Sequence, residues 1–176
     1  MSNLTTNDFD LSDNILTVPT IDGNNSYKVN LTVINNACNV IEEIKTANVD
    51  TLPRLIGTFT LAMTNLTNII AGVEAQLSKC ERELDWKRSI FFIESAEGYL
   101  LSKGIKSTAD AREAAVTIQP EVMMATVIRD QTKAALSFLT NKKKDLDSAY
   151  TGCKKIADLK ARDMMGGRIT SGGERD

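Results

Sequence analysis

The chain has 176 residues, 42 % of them apolar and 25 % charged, which suits one domain or one long helical assembly unit in water. It has no His, and its three Cys (Cys38, Cys80 and Cys153) form no CxxC pair, so a Cys/His zinc site, a His triad and a His general base are excluded. The net charge of −2 hides an asymmetry: residues 1–53 carry seven acids and two bases, and residues 54–176 carry sixteen acids and nineteen bases, so any nucleic-acid site must be local.

Residues 1–14 are polar and acidic, with no basic segment before an apolar core, and read as a mobile arm rather than a signal peptide. The Asn sequons at Asn3, Asn24, Asn30 and Asn65 are then chance matches. Asp22-Gly23 is a hairpin-type dipeptide flanked by Ile15–Val18 and Tyr27–Val33, which have strand character. From Leu31 the spacing turns helical: Leu31, Ile34, Cys38, Ile41 and Ile44 predict a short amphipathic helix to about Thr46.

The segment VDTLPR predicts a helix start, with Asp50 or Thr51 as cap and Pro53 in the first turn, where its missing N–H costs nothing. From there Leu52, Ile56, Phe59, Met63, Leu66, Ile70, Val73, Leu77, Cys80, Leu84, Lys87 and Phe91 alternate spacings of four and three. That is the seam of a left-handed coiled coil, and Lys87 alone violates it. A helix over 51–102 would be ~78 Å long at the α-helical rise. It would have to pair to be stable.

Gly104 predicts the end of that helix. Ser107 and Asp110 fit the start of a short helix to about Ile118. Pro120 opens a second long helix with an apolar stripe of Met124, Ile128, Ala135, Leu139, Leu146, Ala149, Cys153 and Ile156. Its helicity is expected to fade after Met165 into a flexible Gly-rich tail at 166–176. The fold class read from this is all-α. An acidic arm of residues 1–50, a β-hairpin plus short helix, precedes a long antiparallel helical hairpin at 51–165.

Residues 55–73 contain no charge but four Thr, two Asn and two Gly, which makes a poor membrane span. The same lack of charge on every face predicts enclosure by other helices. The expectation is a homo-oligomer larger than a dimer and no membrane partner. Ile56, Phe59, Met63, Leu66, Ile70 and Val73 would form the interface.

No GxxxxGK[ST], GxGxxG, HExxH or GxSxG occurs, so no catalytic residue, metal site or cofactor is expected. The stretch LDWKRSIFF differs in kind. Lys79, Arg82, Lys87 and Arg88 interleave with Trp86, Phe91 and Phe92, combining cations for a phosphate backbone with flat rings for stacked bases.

These features carry a resemblance. WKRSIFF, then EGYL with Gly98 and Tyr99, then STADAREAA, then the helix from Pro120 to Asp163 resemble the UvsY-type recombination mediators of tailed phages over roughly residues 74–163. The resemblance implies a non-enzymatic oligomer in the host cytoplasm. It would bind single-stranded DNA through Lys87, Arg88, Phe91 and Phe92. It would also help a phage recombinase replace single-strand binding protein. The competing expectation is a structural or interaction protein, a phage assembly factor or an inhibitor of a host protein, acting through its helices.

Overall fold

The computed structural model describes residues 14–21 and 25–169, with the backbone alone for 164–169. The Asp22-Gly23 turn, the first thirteen residues of the acidic arm and most of the Gly-rich tail lie outside the described residues. The protein is mostly helical, with a long helix from Leu52 to residue 102 and a small antiparallel two-stranded sheet. The elements in chain order are β1 (Ile15–Pro19), β2 (Ser26–Asn30), α1 (Thr32–Asn39), a 3₁₀ helix (Ile41–Thr46), α2 (Leu52–Ile90), a π-helical turn (Phe91–Ser95), α3 (Ala96–Ser102), α4 (Ala109–Thr117) and α5 (Pro120–Ile169).

Two compact units result: Met1–Val29 with Ile69–Phe138, and Asn30–Asn68 with Leu139–Asp176. Each long helix contributes a segment to both.

In the unit made of Asn30–Asn68 and Leu139–Asp176, the expected single helix from Leu31 to Thr46 is two elements. The Thr32 amide donates to Asn30 Oδ1 at 2.8 Å, which starts α1 and ends the second strand short of the expected Val33. After Val40 the chain tightens to 3₁₀ geometry, and none of the residues in this second piece is buried. The Arg54 guanidinium pairs with the Glu43 carboxylate, tying the 3₁₀ helix to α2.

The cap of α2 is Asn48, not Asp50 or Thr51. Asn48 Oδ1 accepts from the amides of Asp50 (3.0 Å) and Thr51 (2.9 Å), and Thr51 Oγ1 accepts in return from the Asn48 amide (2.9 Å). This reciprocal box satisfies donors that the first turn cannot bond internally. An Asn, whose side chain reaches two residues forward, does this better from position 48 than an Asp already inside the turn.

Along α2, Leu52, Leu55, Phe59, Ala62 and Leu66 are fully buried, while Ile56 and Met63 are half-buried. The buried face is therefore turned toward Leu55 and Ala62. Both flanks of the Leu52–Phe59–Leu66 line are apolar, so the spacing could not choose between them. The choice is made by packing, where Ala62 permits a closer approach than Met63. In the same unit Leu139, Leu146, Ala149 and Cys153 of α5 are buried.

The unit made of Met1–Val29 and Ile69–Phe138 buries Leu16, Val18 and Val29 of the sheet, and Gln76 Nε2 donates to the Pro19 carbonyl at 3.3 Å. Cys80 and Thr132 are in contact across α2 and α5, sulfur to hydroxyl oxygen 4.0 Å, and Thr132 also donates to the Ile128 carbonyl at 2.8 Å. Thr132 is the one buried polar side chain among the described residues, and that bond removes its desolvation cost. Met124, expected in the stripe, is 58 % exposed; Val122 and Ala125 take the inward places. The reason is rotational: Ala125, Ile128, Thr132 and Ala135 share one arc of α5, and a Thr that bonds its own helix can occupy it.

The helix ends at Gly104 as the sequence predicts. Gly104 has φ +69°, its amide reaches the Leu101 carbonyl and the Ile105 amide reaches the Leu100 carbonyl, both at 3.0 Å. These are the paired bonds of a Schellman motif. At α4 the cap is Thr108, whose hydroxyl accepts from the Ala111 amide at 3.2 Å; the expected Ser107 instead accepts from Arg112 Nε at 2.7 Å. Arg112 also pairs with Glu97 at 3.1 Å and so ties α4 to α3. At the far end α5 continues to Ile169, past the expected fade after Met165, because propagating an existing helix needs no new nucleus.

Replacing Asn48 with Ala should cost about 1 kcal/mol, whereas Asp50→Ala should cost only a few tenths. Gly104→Ala should cost roughly 1–2 kcal/mol for forcing a Cβ into the left-handed region. Urea melts of the three variants check this ranking, and equal midpoints for Asn48→Ala and Asp50→Ala would contradict it.

Candidate nucleic-acid interface

The LDWKRSIFF stretch lies where α2 passes into the π-helical turn Phe91–Ser95. Of its four candidate residues, Arg88 and Phe92 line one cleft, and Lys87 and Phe91 are not among its lining residues. An α-helix turns about 100° per residue, so residues four apart share a face and neighbours do not. Lys87 with Phe91 makes one pair, and Arg88 with Phe92 makes another.

Lys87 and Phe91 face inward. The Lys87 side chain is only 24 % exposed and its ammonium lies 3.5 Å from Glu83 Oε1, one turn back. Its stem therefore fills the seam position while its head reaches the edge and is paired there. Phe91 packs on the buried group of Leu84, Val116, Val122 and Ala125 and meets the Tyr99 ring edge-on at 6.3 Å between centroids.

Arg88 and Phe92 point elsewhere. Together with Ser89, Ile93, Glu113 and Val116 they line an open cleft of about 370 Å³. That size is at the lower end of the range of about 300–1,000 Å³ usual for small-molecule and cofactor sites. Phe92 rests partly on the same buried group as Phe91 and stays half-exposed. Arg88 is exposed and makes no ion pair among the described residues. The cleft thus offers a cation, a ring and, from Glu113, one acceptor.

The remaining cations and ring of this region, Lys79, Arg82 and Trp86, lie on a third, outward face; Trp86 is 58 % exposed. Reading at intervals of three and four groups this trio, whereas reading by proximity in the chain merges it with the rest.

The six residues expected at an oligomer interface divide as well. Phe59, Leu66 and Val73 are covered by the chain itself, at no more than 1 % exposure. Ile56, Met63 and Ile70 keep part of their surface open.

Among the described residues no group of three or more His, Cys, Asp or Glu side chains is placed to hold a metal ion. Burial pushes all three thiols up from the usual cysteine range; at Cys38 the neighbouring Lys142 ammonium opposes this and Asp145 adds to it. Among the described residues one helix, Leu52–Ser102, is long and apolar enough to cross a membrane, with 22 % of its most apolar window buried in the chain.

No family model matches the chain, and no curated protein or solved structure shows significant similarity to it.

Raised pKa values keep the thiols protonated near neutral pH, where the thiolate is the reactive form. Alkylation of the native protein should therefore be slow and should speed up as pH rises. Cys38, half-buried, should react first, with Cys80 and Cys153 following only on unfolding. Mass spectrometry of partly alkylated protein reads the order; early labelling of Cys80 would contradict the packing around Thr132.

Proposed function

We propose that the chain is a non-enzymatic recombination mediator that holds single-stranded DNA and helps load a recombinase as single-strand binding protein leaves. The observation that carries this is the cleft at the π turn. There an arginine free of ion pairs among the described residues and a half-exposed phenylalanine stand side by side over open space. Single-stranded binding requires that pairing of a backbone cation with a stacking ring. A π turn inside a long helix is also a feature that recurs at functional sites. Within the candidate quartet, Arg88 and Phe92 are the direct contacts. Lys87 and Phe91 position them from the seam side.

The proposal includes an antiparallel coiled-coil pairing of α2 with α5 and a homo-oligomer larger than a dimer, acting in the host cytoplasm. Two observations support assembly. Only 22 % of the most apolar window of the long helix is buried in the chain. Along the same helix the hydroxyls of Thr58, Thr60, Thr64 and Thr67 donate to the carbonyls of Arg54, Ile56, Thr60 and Met63, four residues back, at 2.8–3.0 Å. Hydroxyls already bonded to their own helix can be covered by a second copy at little desolvation cost.

A second reading, an interaction protein acting on another protein through its helices, is favoured by one surface: Ile118, Met123, Met124 and Val127 are between 43 % and 58 % exposed. Exposed Met-rich surfaces suit adaptable protein contacts.

Fluorescence anisotropy with a labelled oligonucleotide separates the two. Arg88→Ala should lower single-strand affinity and flatten its log–log salt dependence by about 0.7 for each phosphate the protein no longer neutralises. Phe92→Ala should cost about 1–3 kcal/mol with the slope unchanged, since stacking releases no counterions. Parent protein that fails to bind single strands at low salt would remove the mediator reading and leave the interaction protein. Ile70→Asp should dissociate the oligomer, because a carboxylate buried there without a partner costs several kcal/mol. Sedimentation of the parent as a monomer at micromolar concentration would contradict the assembly.

A further inference from the structure

A lone exposed Trp is an ordinary surface feature. The surroundings of Trp86 are not. Lys79, Arg82 and Trp86 follow one another at spacings of three and four, so they lie on one arc of α2, opposite the buried Cys80 and Leu84. All three are exposed. Neither cation forms an ion pair among the described residues.

Acids border the arc on both sides, Glu83 four residues from Lys79 and Asp85 three from Arg82, yet neither forms an ion pair with those cations among the described residues. Glu81 and Asp85 fall on the flank of Arg88, and Glu83 falls on the other flank, engaged with Lys87 at 3.5 Å. Beyond Trp86 the arc continues through Ser89 to Ile93, which at 77 % is the most exposed large apolar side chain among the described residues. Ser89 and Ile93 are also walls of the Arg88–Phe92 cleft. The outward stripe and the cleft are therefore one continuous surface.

We infer that this stripe is a single-stranded nucleic-acid track: Trp86 is the principal stacking platform, Lys79 and Arg82 hold the backbone, and the strand runs on over Ile93 to the cleft. The inference rests on the single-strand reading above and moves its main contacts to three residues outside the candidate quartet. Charge complementarity selects the occupant. Two exposed cations that form no ion pair among the described residues are available to a phosphate backbone, and a flat ring between that pair and the cleft accepts any base by its face. An apolar protein segment would leave Lys79 and Arg82 without partners.

The chain has a single Trp, so its emission reports on this position alone. Titration of the intact protein with oligothymidylate should quench that emission in a saturable, salt-reversible way, and duplex of equal length should not. Trp86→Ala should weaken single-strand binding, read by anisotropy, roughly five- to 140-fold, with the salt slope kept. Lys79→Ala with Arg82→Ala should weaken it and reduce the slope by about 1.4, or 0.7 for each of the two phosphates left without its cation.

If the parent binds single strands but its emission does not change and Trp86→Ala binds as tightly, the stripe is refuted while the Arg88–Phe92 reading survives. If the parent does not bind at all, both fall. Emission that shifts with protein concentration in the absence of DNA would mean that a second copy covers Trp86, which also overturns the inference.

Discussion

The amide of Ala96 donates to the carbonyl of Phe91, five residues back, where an α-helix would bond four residues back. That single longer turn decides what the helix presents to its core beyond Ile90. Continued as α-helix, the face that carries Leu84 and Phe91 would next bring in Ser95 and Gly98. With one residue more in the turn, Ala96 and Leu100 arrive instead, and they are 0 % and 3 % exposed. Burying a small apolar and a leucine side chain in place of a hydroxyl and a bare backbone favours the π turn by burial alone. The cost is a local widening at Phe91–Ser95.

Much else follows from that widening. Phe91 keeps its seam packing and its edge-on meeting with Tyr99, while Phe92 and Ile93, next in the turn, are left over the cleft beside Arg88 and Glu113. The seam residue Lys87 is tolerated one turn earlier because its stem packs and its charge is answered by Glu83. A partly exposed pair 3.5 Å apart at the edge of the helix contributes no more than about 1 kcal/mol, so Lys87 is better understood as a way of ending the apolar seam than as a source of stability. The stretch that breaks the heptad pattern is the stretch where the chain stops being a regular rod.

What the sequence disclosed and what it withheld divide on physical grounds. The long helices, the hairpin strands and the Gly104 terminus were legible because each repeats a pattern or needs a residue type with special conformational freedom. The Asn48 box, the Thr108 cap and the inward turn of Leu55 and Ala62 were not. Several polar residues near each start could cap, and two apolar flanks of one helix look alike until a partner chooses between them. The π turn left a signal that a strict four-and-three scan overlooks, a step of five from Phe91 to Ala96. Lys87, Arg88, Phe91 and Phe92 are neighbours in the chain, and which of them meets the cleft was not legible: Arg88 and Phe92 line it, while Lys87 pairs with Glu83 and Phe91 packs against Tyr99. Trp86, with Lys79 and Arg82, falls on the outward face.

The central claim is that the π turn serves the surface and that the core needs only its register. Deleting Ile93 tests it directly. The spacing from Phe91 to the Ala now at position 96 becomes four, so an unbroken α-helix would bury the same side chains, and helicity and oligomer size should be kept. The measurement is the single-strand affinity of this shortened chain at fixed salt. The expected result is a folded protein whose affinity falls at least as far as that of Phe92→Ala. A folded chain that binds as tightly as the parent would contradict the claim.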